Sequence, residues 1–325
     1  MYIDHKTIQM AARVLADEKL VALPTETVYG LAGFARSPSA IQKIYAMKGR
    51  PATNPLIIHL PHPAAISDWA IDIPKAAHIL ARKFWPGPLT LVLPRHPEVL
   101  LSVTAGQETV ALRVPNHPLA LALLQEFKGG IAAPSANRYG RISPTTIEHV
   151  RAEFQDKVDY YLDGGPCEVG IESTIVYLAG SEVIILRKGK ITQQALEETL
   201  GQAVLSKDKS DPGMQTPGSN VSHYAPEHPL FLLPLNALLE KLTGLITENK
   251  AVGVLSFSKK PALLSHQVFW VCANSQFSIY ASSLYAHLRE LDSLNLDCIL
   301  VEAPPEGTEW EAVHDRLQRA SHSGD

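Results

Sequence analysis

The chain has 325 residues, with 29 Lys and Arg against 33 Asp and Glu for a formal charge of −4, 46% hydrophobic residues and 19% charged ones. These values exclude a disordered, collagenous or small disulfide-stapled protein, and at about one domain per 150 residues they predict two domains, each with its own core. The apolar runs at 21–23, 56–60 and 298–301 fall far short of the roughly 20 residues a membrane helix needs. Residues 1–6 run into an amphipathic pattern without the basic and apolar regions of a signal peptide, so a cytoplasmic protein is expected. Cys167, Cys272 and Cys298 are odd in number and widely separated, and read as reduced thiols rather than a disulfide framework or a zinc knuckle.

In chain order, Ile8, Ala11, Val14 and Leu15 recur at helical spacing, and 20–23 reads as a short buried strand. Ser37-Pro38 is a helix start, with Ile41, Ile44 and Tyr45 on one face before the run stops at Lys48-Gly49-Arg50-Pro51. Strands are predicted at 56–60, 89–93, 109–114 and 130–133, and helices at 74–84, 117–127 and 144–154. Three further strands follow in quick succession at 158–162, 173–178 and 182–187, the last two joined by an Ala-Gly-Ser turn. Because strict strand–helix alternation breaks there, a mixed, twisted sheet flanked by helices is expected. A helix near 192–200 closes this part. Residues 206–229 are polar and rich in Pro, Gly, Ser, Lys and Asp, and read as a linker; loops of such length are commonly functional or disordered. Beyond them, strands at 251–257, 268–272 and 298–301 with helices at 235–242, 279–291 and 310–320 predict a smaller α/β unit.

Several stretches carry polar groups where α/β sheets bind ligands, at the carboxyl ends of strands. Pro24-Thr25-Glu26-Thr27-Val28-Tyr29-Gly30-Leu31 lies just beyond the first strand and equally reads as a hydrogen-bonded turn. Lys48 and Arg50 end a helix, where cations complement its dipole. The turn formed by Pro51, Asn54 and Pro55 fixes both at the sheet edge, and the pair suits a polyphosphate: Arg offers a planar fork and Lys a point charge. No Walker-type glycine loop occurs in the chain, so a nucleotide must be held another way. Ala133-Pro134-Ser135-Ala136-Asn137 precedes a helix expected near Ser143-Pro144; Ser135, Asn137 and the helix start suit an anion, or Ser143 is simply its N-cap. Arg113 lies in an apolar run and needs a partner such as a carboxylate. Arg187 ends its strand in the same fashion, His59 interrupts another, and Glu172-Ser173-Thr174 offers hydroxyls at a strand start.

Together these motifs resemble the YrdC/YciO-like family, in its two-domain type of threonylcarbamoyl-AMP synthase. The resemblance covers nearly the whole chain. It rests on Pro-Thr-Glu-Thr-Val-Tyr-Gly-Leu at 24–31, Lys-Gly-Arg-Pro at 48–51, Asn54-Pro55-Leu56 with His59, and Phe84-Trp-Pro-Gly-Pro-Leu-Thr90. Thr109-Val-Ala-Leu-Arg113-Val-Pro115, Pro134-Ser-Ala-Asn137, Glu172-Ser-Thr174 and Leu186-Arg187 continue it in the family's order. His223-Tyr224-Ala225-Pro226 and Asp315-Arg316-Leu317 are similar to motifs of the extra C-terminal domain.

The resemblance implies a YrdC-like catalytic domain over 1–205, a linker and active-site lid over 206–229, and a Rossmann-like α/β domain over 230–325. It implies a nucleotidyltransferase that makes L-threonylcarbamoyladenylate and pyrophosphate from L-threonine, bicarbonate and ATP, for threonylcarbamoyladenosine at position 37 of tRNA, with downstream tRNA threonylcarbamoyl-transfer proteins as partners. Carried over by motif, threonine falls to Thr27, His59, Arg113, Ala133 and Ser173. ATP falls to Lys48, Arg50, Asn54, Thr109, Ser135, Asn137, Ser143, Arg187 and Tyr224, with Lys48 and Arg50 in the catalytic role of neutralising phosphates. Mg²⁺ is expected to arrive with the nucleotide, with no protein metal ligand. Tyr224 is expected either to close over ATP and exclude water or to anchor the linker to the first domain, and the stretch Gln215–Ser222 departs from the family there. Two other readings compete. An RNA-binding module meets the objection of a −4 charge without a basic run. A related carbamoyl-transfer enzyme of hydrogenase maturation carries zinc-finger cysteines that three scattered Cys cannot supply.

Overall fold

The computed structural model describes residues 4–206, 224–261 and 267–321. Most of the expected linker, with the Gln215–Ser222 stretch and His223, lies outside the described residues. The described residues form two compact units: 4–139, 144–168 and 172–206 in the first, and 140–143, 169–171 and 224–321 in the second.

The first unit opens with helix α1 (His5–Ala16), capped by Asp4, which accepts from the amides of Lys6 and Thr7. Strands β1 (Val21–Leu23) and β2 (Gly30–Phe34) follow, then helix α2 (Pro38–Lys48). The Ser37 hydroxyl caps α2, and Gly49 ends it in the left-handed conformation at φ 59°. The remaining strands are β3 (Ile57–His59), β4 (Leu89–Pro94), β5 (Thr109–Arg113), β6 (Ile131–Ala132), β7 (Tyr160–Tyr161), β8 (Thr174–Tyr177), β9 (Ile184–Arg187) and β10 (Leu205–Ser206). They join in one ten-stranded sheet of order β10-β9-β8-β4-β5-β3-β6-β2-β1-β7. Parallel pairs (β3 with β5, β4 with β8) alternate with antiparallel ones (β4 with β5, β3 with β6), so the mixed sheet expected from the sequence is present.

Two sequence expectations need correction. Residues 30–34, of which 30–31 fall in the stretch also read as a turn and 32–34 had no predicted element, form β2, held on both sides by β1 and β6. The helix expected to start at Ser143-Pro144 starts at Ile147, with Thr146 as its cap; the Pro144 carbonyl instead accepts from the Tyr29 amide at 2.9 Å.

Side-chain alternation gives the sheet two different faces. Ile58, Leu91, Val110, Leu112 and Val176 point into the main core with Leu80, Ala81 and Ile44 of the flanking helices. Over β3, β5, β4 and β8 the opposite face carries only a small apolar cluster, Ile57, Val92, Ala111 and Ile175. The next residues of the same face, two along each strand, are His59, Arg113, Thr90 and Ser173. A helical layer with α1 covers that side only at the β1-β2-β6 end, where Val21, Leu23, Ala32 and Ile131 meet Ile8, Ala11 and Leu15.

The second unit has a four-stranded, wholly parallel sheet of order β11-β14-β12-β13, from β11 (Leu230–Leu233), β12 (Val252–Ser256), β13 (Val268–Cys272) and β14 (Cys298–Glu302). Helix α3 (Leu235–Thr247) buries Leu238 and Leu242 against it. The two short stretches from the first half of the chain belong here: Arg141 bridges Ala225, and the Ala225 amide donates to the Gly140 carbonyl at 2.8 Å. Gly170, at φ 74°, lies so close to helix α4 (Phe277–Asp292) that a Cβ would sit 2.4 Å from the Ser282 Cα.

Candidate active site

The turn after β1 is tied by one hydroxyl. Thr25 Oγ1 donates to the Val28 carbonyl at 2.6 Å and accepts from the amides of Thr27 and Val28 at 3.2 Å, with Thr27 Oγ1 2.9 Å away. This fixes Glu26 and Thr27 against Arg113, the last residue of β5. Arg113 donates from Nη1 to Thr27 Oγ1 at 2.9 Å and from Nε to the Gly87 carbonyl at 3.3 Å, while its Nη2 lies 2.8 Å from Glu26 Oε1. Both charged side chains are about 5% exposed or less. The carboxylate partner that the sequence reading demanded of Arg113 is therefore supplied within the chain by Glu26.

His59 pairs in register with Arg113 across the parallel β3 and β5. Burial, and then the Arg113 charge, push its pKa from 6.5 down to about 3, so the imidazole is neutral at pH 7. Ala133 sits against the same strand, its amide donating to the Ile57 carbonyl at 3.0 Å. Ser173, just before β8, is held by Thr90, whose hydroxyl lies 2.8 Å from its own. Arg187 clasps it, donating from Nε to the Ser173 carbonyl at 3.0 Å and from Nη2 to its hydroxyl at 3.1 Å.

A second cluster gathers at the end of α2. In a continuing helix Lys48 and Arg50 would point about 200° apart. The turn at Gly49 redirects the chain instead. Lys48 Nζ donates to the carbonyls of Ser135, at 2.6 Å, and Asn137. Arg50 donates from Nε to the Asn54 carbonyl at 3.1 Å and from Nη2 to the Pro55 carbonyl at 2.9 Å, with its guanidinium 5.8 Å from the Tyr139 ring centre. Tyr139 ties the two together: its hydroxyl accepts from Asn54 Nδ2 at 2.8 Å and its amide donates to the Lys48 carbonyl at 2.8 Å. Complete burial, and then the Arg50 charge, hold the Lys48 ammonium well below the usual lysine range. The two clusters are joined through the short run from Ala133 to Ser135, which touches β3 at one end and Lys48 at the other.

Residues 13–189 match the Sua5/YciO/YrdC family, described as telomere recombination, and residues 191–322 match the family described as the threonylcarbamoyl-AMP synthase C-terminal domain. The chain belongs to this two-part family. A threonylcarbamoyl-AMP synthase of Bacillus subtilis is 40% identical over 322 residues, covering 97% of this chain and 92% of the relative. One from Pyrococcus abyssi is 38% identical over 328 residues, covering 98% and 95%. The crystal structure of P. abyssi Sua5 complexed with L-threonine superposes with a TM-score of 0.92 at 36% identity, covering 99% of this chain and 96% of that one.

Of the residues assigned by family motif, Thr27, His59 and Arg113 form the first cluster, with Ala133 beside it; Ser173 and Arg187 form a clasp; Lys48, Arg50, Asn54, Ser135 and Asn137 form the second cluster. Thr109 stands apart from Arg113 by the length of β5, about 13 Å at 3.3 Å per residue. Ser143 and Tyr224 belong to the second unit. Ser143 is fully buried, and Tyr224, at φ 64°, is buried with its ring 6.1 Å from that of Tyr285 and 5.1 Å from the Arg316 guanidinium. The site also uses side chains that the sequence reading did not single out: Glu26 on Arg113, Thr25 as the tie of the turn, Thr90 on Ser173 and Tyr139 between the two cations. Glu26 alone carried a signal, a carboxylate inside a motif that already held Thr27.

Proposed function

We propose that this protein makes L-threonylcarbamoyladenylate and pyrophosphate from L-threonine, bicarbonate and ATP, acting as a nucleotidyltransferase in the cytoplasm and supplying the tRNA threonylcarbamoyl-transfer proteins that modify position 37. The observation that carries this reading is the two-ended site: a buried Arg113 with neutral His59 for a small amino acid, joined by 133–135 to the Lys48–Arg50 pair for a polyphosphate. The threonine amine and bicarbonate form a carbamate with loss of water, a carbamate oxygen attacks the α-phosphate, and pyrophosphate leaves from the opposite side. Such a transfer needs positioning and charge neutralisation rather than a protein nucleophile.

In this scheme Arg113 receives the threonine carboxylate, anchored from behind by Gly87 and Thr27. Neutral His59 and Ser173 meet the threonine hydroxyl, and the backbone at Ala133 lines the pocket. Lys48 and Arg50 face the phosphates, and Asn54, Thr109, Ser135 and Asn137 orient the nucleotide. Arg187, already bonded to Ser173, contacts the nucleotide. The donors at the second cluster are cations and amides, which suit phosphate oxygens and not a bare metal ion. Mg²⁺ therefore enters on the nucleotide, where it supplies further charge neutralisation, and the chain's own residues bind the complex.

The test is pyrophosphate release from ATP in bicarbonate buffer with threonine, with serine and with no amino acid. Stimulation by threonine is expected. Equal release in all three sinks the reading, and retention on tRNA without threonine-dependent release would favour the RNA-binding alternative.

A further inference from the structure

Arg113 is held by two directional hydrogen bonds and one close ion pair. Nε and Nη1 make directional hydrogen bonds, but Nη2, although 2.8 Å from Glu26 Oε1, makes none. Neither Glu26 oxygen makes one either, and the carboxylate is buried. Buried carboxylates are ordinarily saturated with donors, because each unmet lone pair forfeits what water supplied. Thr25 leaves the Glu26 backbone no freedom to turn the group toward other partners. His117 and Cys167 lie within electrostatic range of it, and neither donates to it among the described residues. The site thus holds a close, buried ion pair that leaves Glu26 Oε2 without a donor among the described residues.

An amino acid is the complement of that pair: its carboxylate offers acceptors and its ammonium three donors from the same carbon atom. Resting on the function proposed above, we infer that Glu26 is the residue that binds the α-ammonium of threonine while Arg113 takes the carboxylate. Before the substrate enters, each side chain neutralises the other; on entry the substrate's ammonium meets Glu26 Oε2 and its carboxylate meets the Arg113 guanidinium, so no charge is left buried without a partner. The same arrangement recognises the zwitterion rather than a carboxylate alone. It also fixes the nitrogen that must become the carbamate on the side of Arg113 from which Thr27 and Glu26 approach.

The test compares threonine with (R)-3-hydroxybutanoate, which keeps the carboxylate and hydroxyl and lacks the amine, by titration calorimetry on the full chain. For Glu26→Gln, threonine affinity is expected to fall about 10- to 100-fold, the size of a lost charge-assisted hydrogen bond. Affinity for (R)-3-hydroxybutanoate should hold or rise, since Arg113 loses its competitor. A residue that merely supports Arg113 would shift both ligands in the same direction by the same factor, and that result overturns the inference. Where Glu26→Gln does not fold, Glu26→Asp is read by the same ratio, with the same two outcomes. Pyrophosphate release by the unaltered chain separates this from the reaction itself. If threonine fails to stimulate release, the proposed reaction falls and the calorimetric ratio still decides Glu26; if threonine stimulates release and the ratio is unchanged in the variant, Glu26 alone falls.

Discussion

The two ends of the site hold their cations by different means. Arg113 is countered by a full negative charge, Glu26, in a side-chain pair that leaves that end neutral together with an uncharged His59. Lys48 and Arg50 donate to the peptide carbonyls of Ser135, Asn137, Asn54 and Pro55, whose dipoles help fix their positions. A neutral end matches a zwitterion, and an end whose cations are gripped by dipoles matches a polyanion. The difference shows that the number of basic residues says less about a ligand's charge than the kind of atom each one leans on.

The sharpest way to break this comparison is Arg113→Ala. It should lower kcat/KM for threonine about 100-fold or more, with apparent ATP affinity little changed, because a hydrogen-bonded charge pair loses one partner. It also leaves Glu26 buried alone, at a cost of about 3–5 kcal/mol, which a denaturant titration reads. An unchanged threonine response would refute the neutral-end description. Lys48→Ala and Arg50→Ala should do the reverse, raising the apparent KM for ATP about 10- to 100-fold by losing charge-assisted contacts while threonine KM stays put. Equal losses for both substrates would erase the division into two ends.

A subtler test uses pH. The unfolded chain protonates His59 near 6.5 and the folded one near 3, so between these values the unfolded state binds the extra proton and folding stability falls as pH drops. His59→Gln removes this term, and its Tm should decline less than that of the unaltered protein between pH 7 and pH 4.5. Parallel declines would mean that His59 is not buried as an uncharged ring. The smallest effect is expected from Gly49→Ala. No atom lies within 4 Å of the added Cβ, so only the strain of φ 59° counts, about 1 kcal/mol. Because that turn aims Lys48 and Arg50, ATP KM should rise several-fold with threonine KM unaffected; steady-state kinetics with each substrate varied would show it.

Much of the architecture was legible where local signals and burial agree. Ser37-Pro38 starts α2 and caps it as expected, Gly49 ends it, and the alternation in 89–93 and 109–113 marks strands whose odd and even residues face different layers. Segment 30–34 was not legible, because Gly-Leu-Ala-Gly-Phe has turn composition. Its glycines answer to packing instead: a Cβ on Gly30 would sit 3.0 Å from that of Ala133, and one on Gly33 would sit 3.0 Å from Ile44 Cδ1. Ser143 was read as the cap of the next helix, whereas Thr146 caps it and the Pro144 carbonyl accepts from the Tyr29 amide. At the site, the need of Arg113 for a carboxylate could be read from its apolar setting. Which carboxylate it was could not, since Glu26 is 87 positions earlier and only the sheet order brings them together.

Gly170 and Arg141 show that the boundary between the two units is not a point on the polypeptide. Residues 140–143 and 169–171 are loops of the first half that count structurally with the second, bridged to Ala225 and pressed against Ser282. Splitting the gene anywhere in 207–223 would therefore yield a front piece with two frayed loops and a back piece with two uncovered faces. Shuffling the smaller unit onto another scaffold would require those loops to be rewritten first.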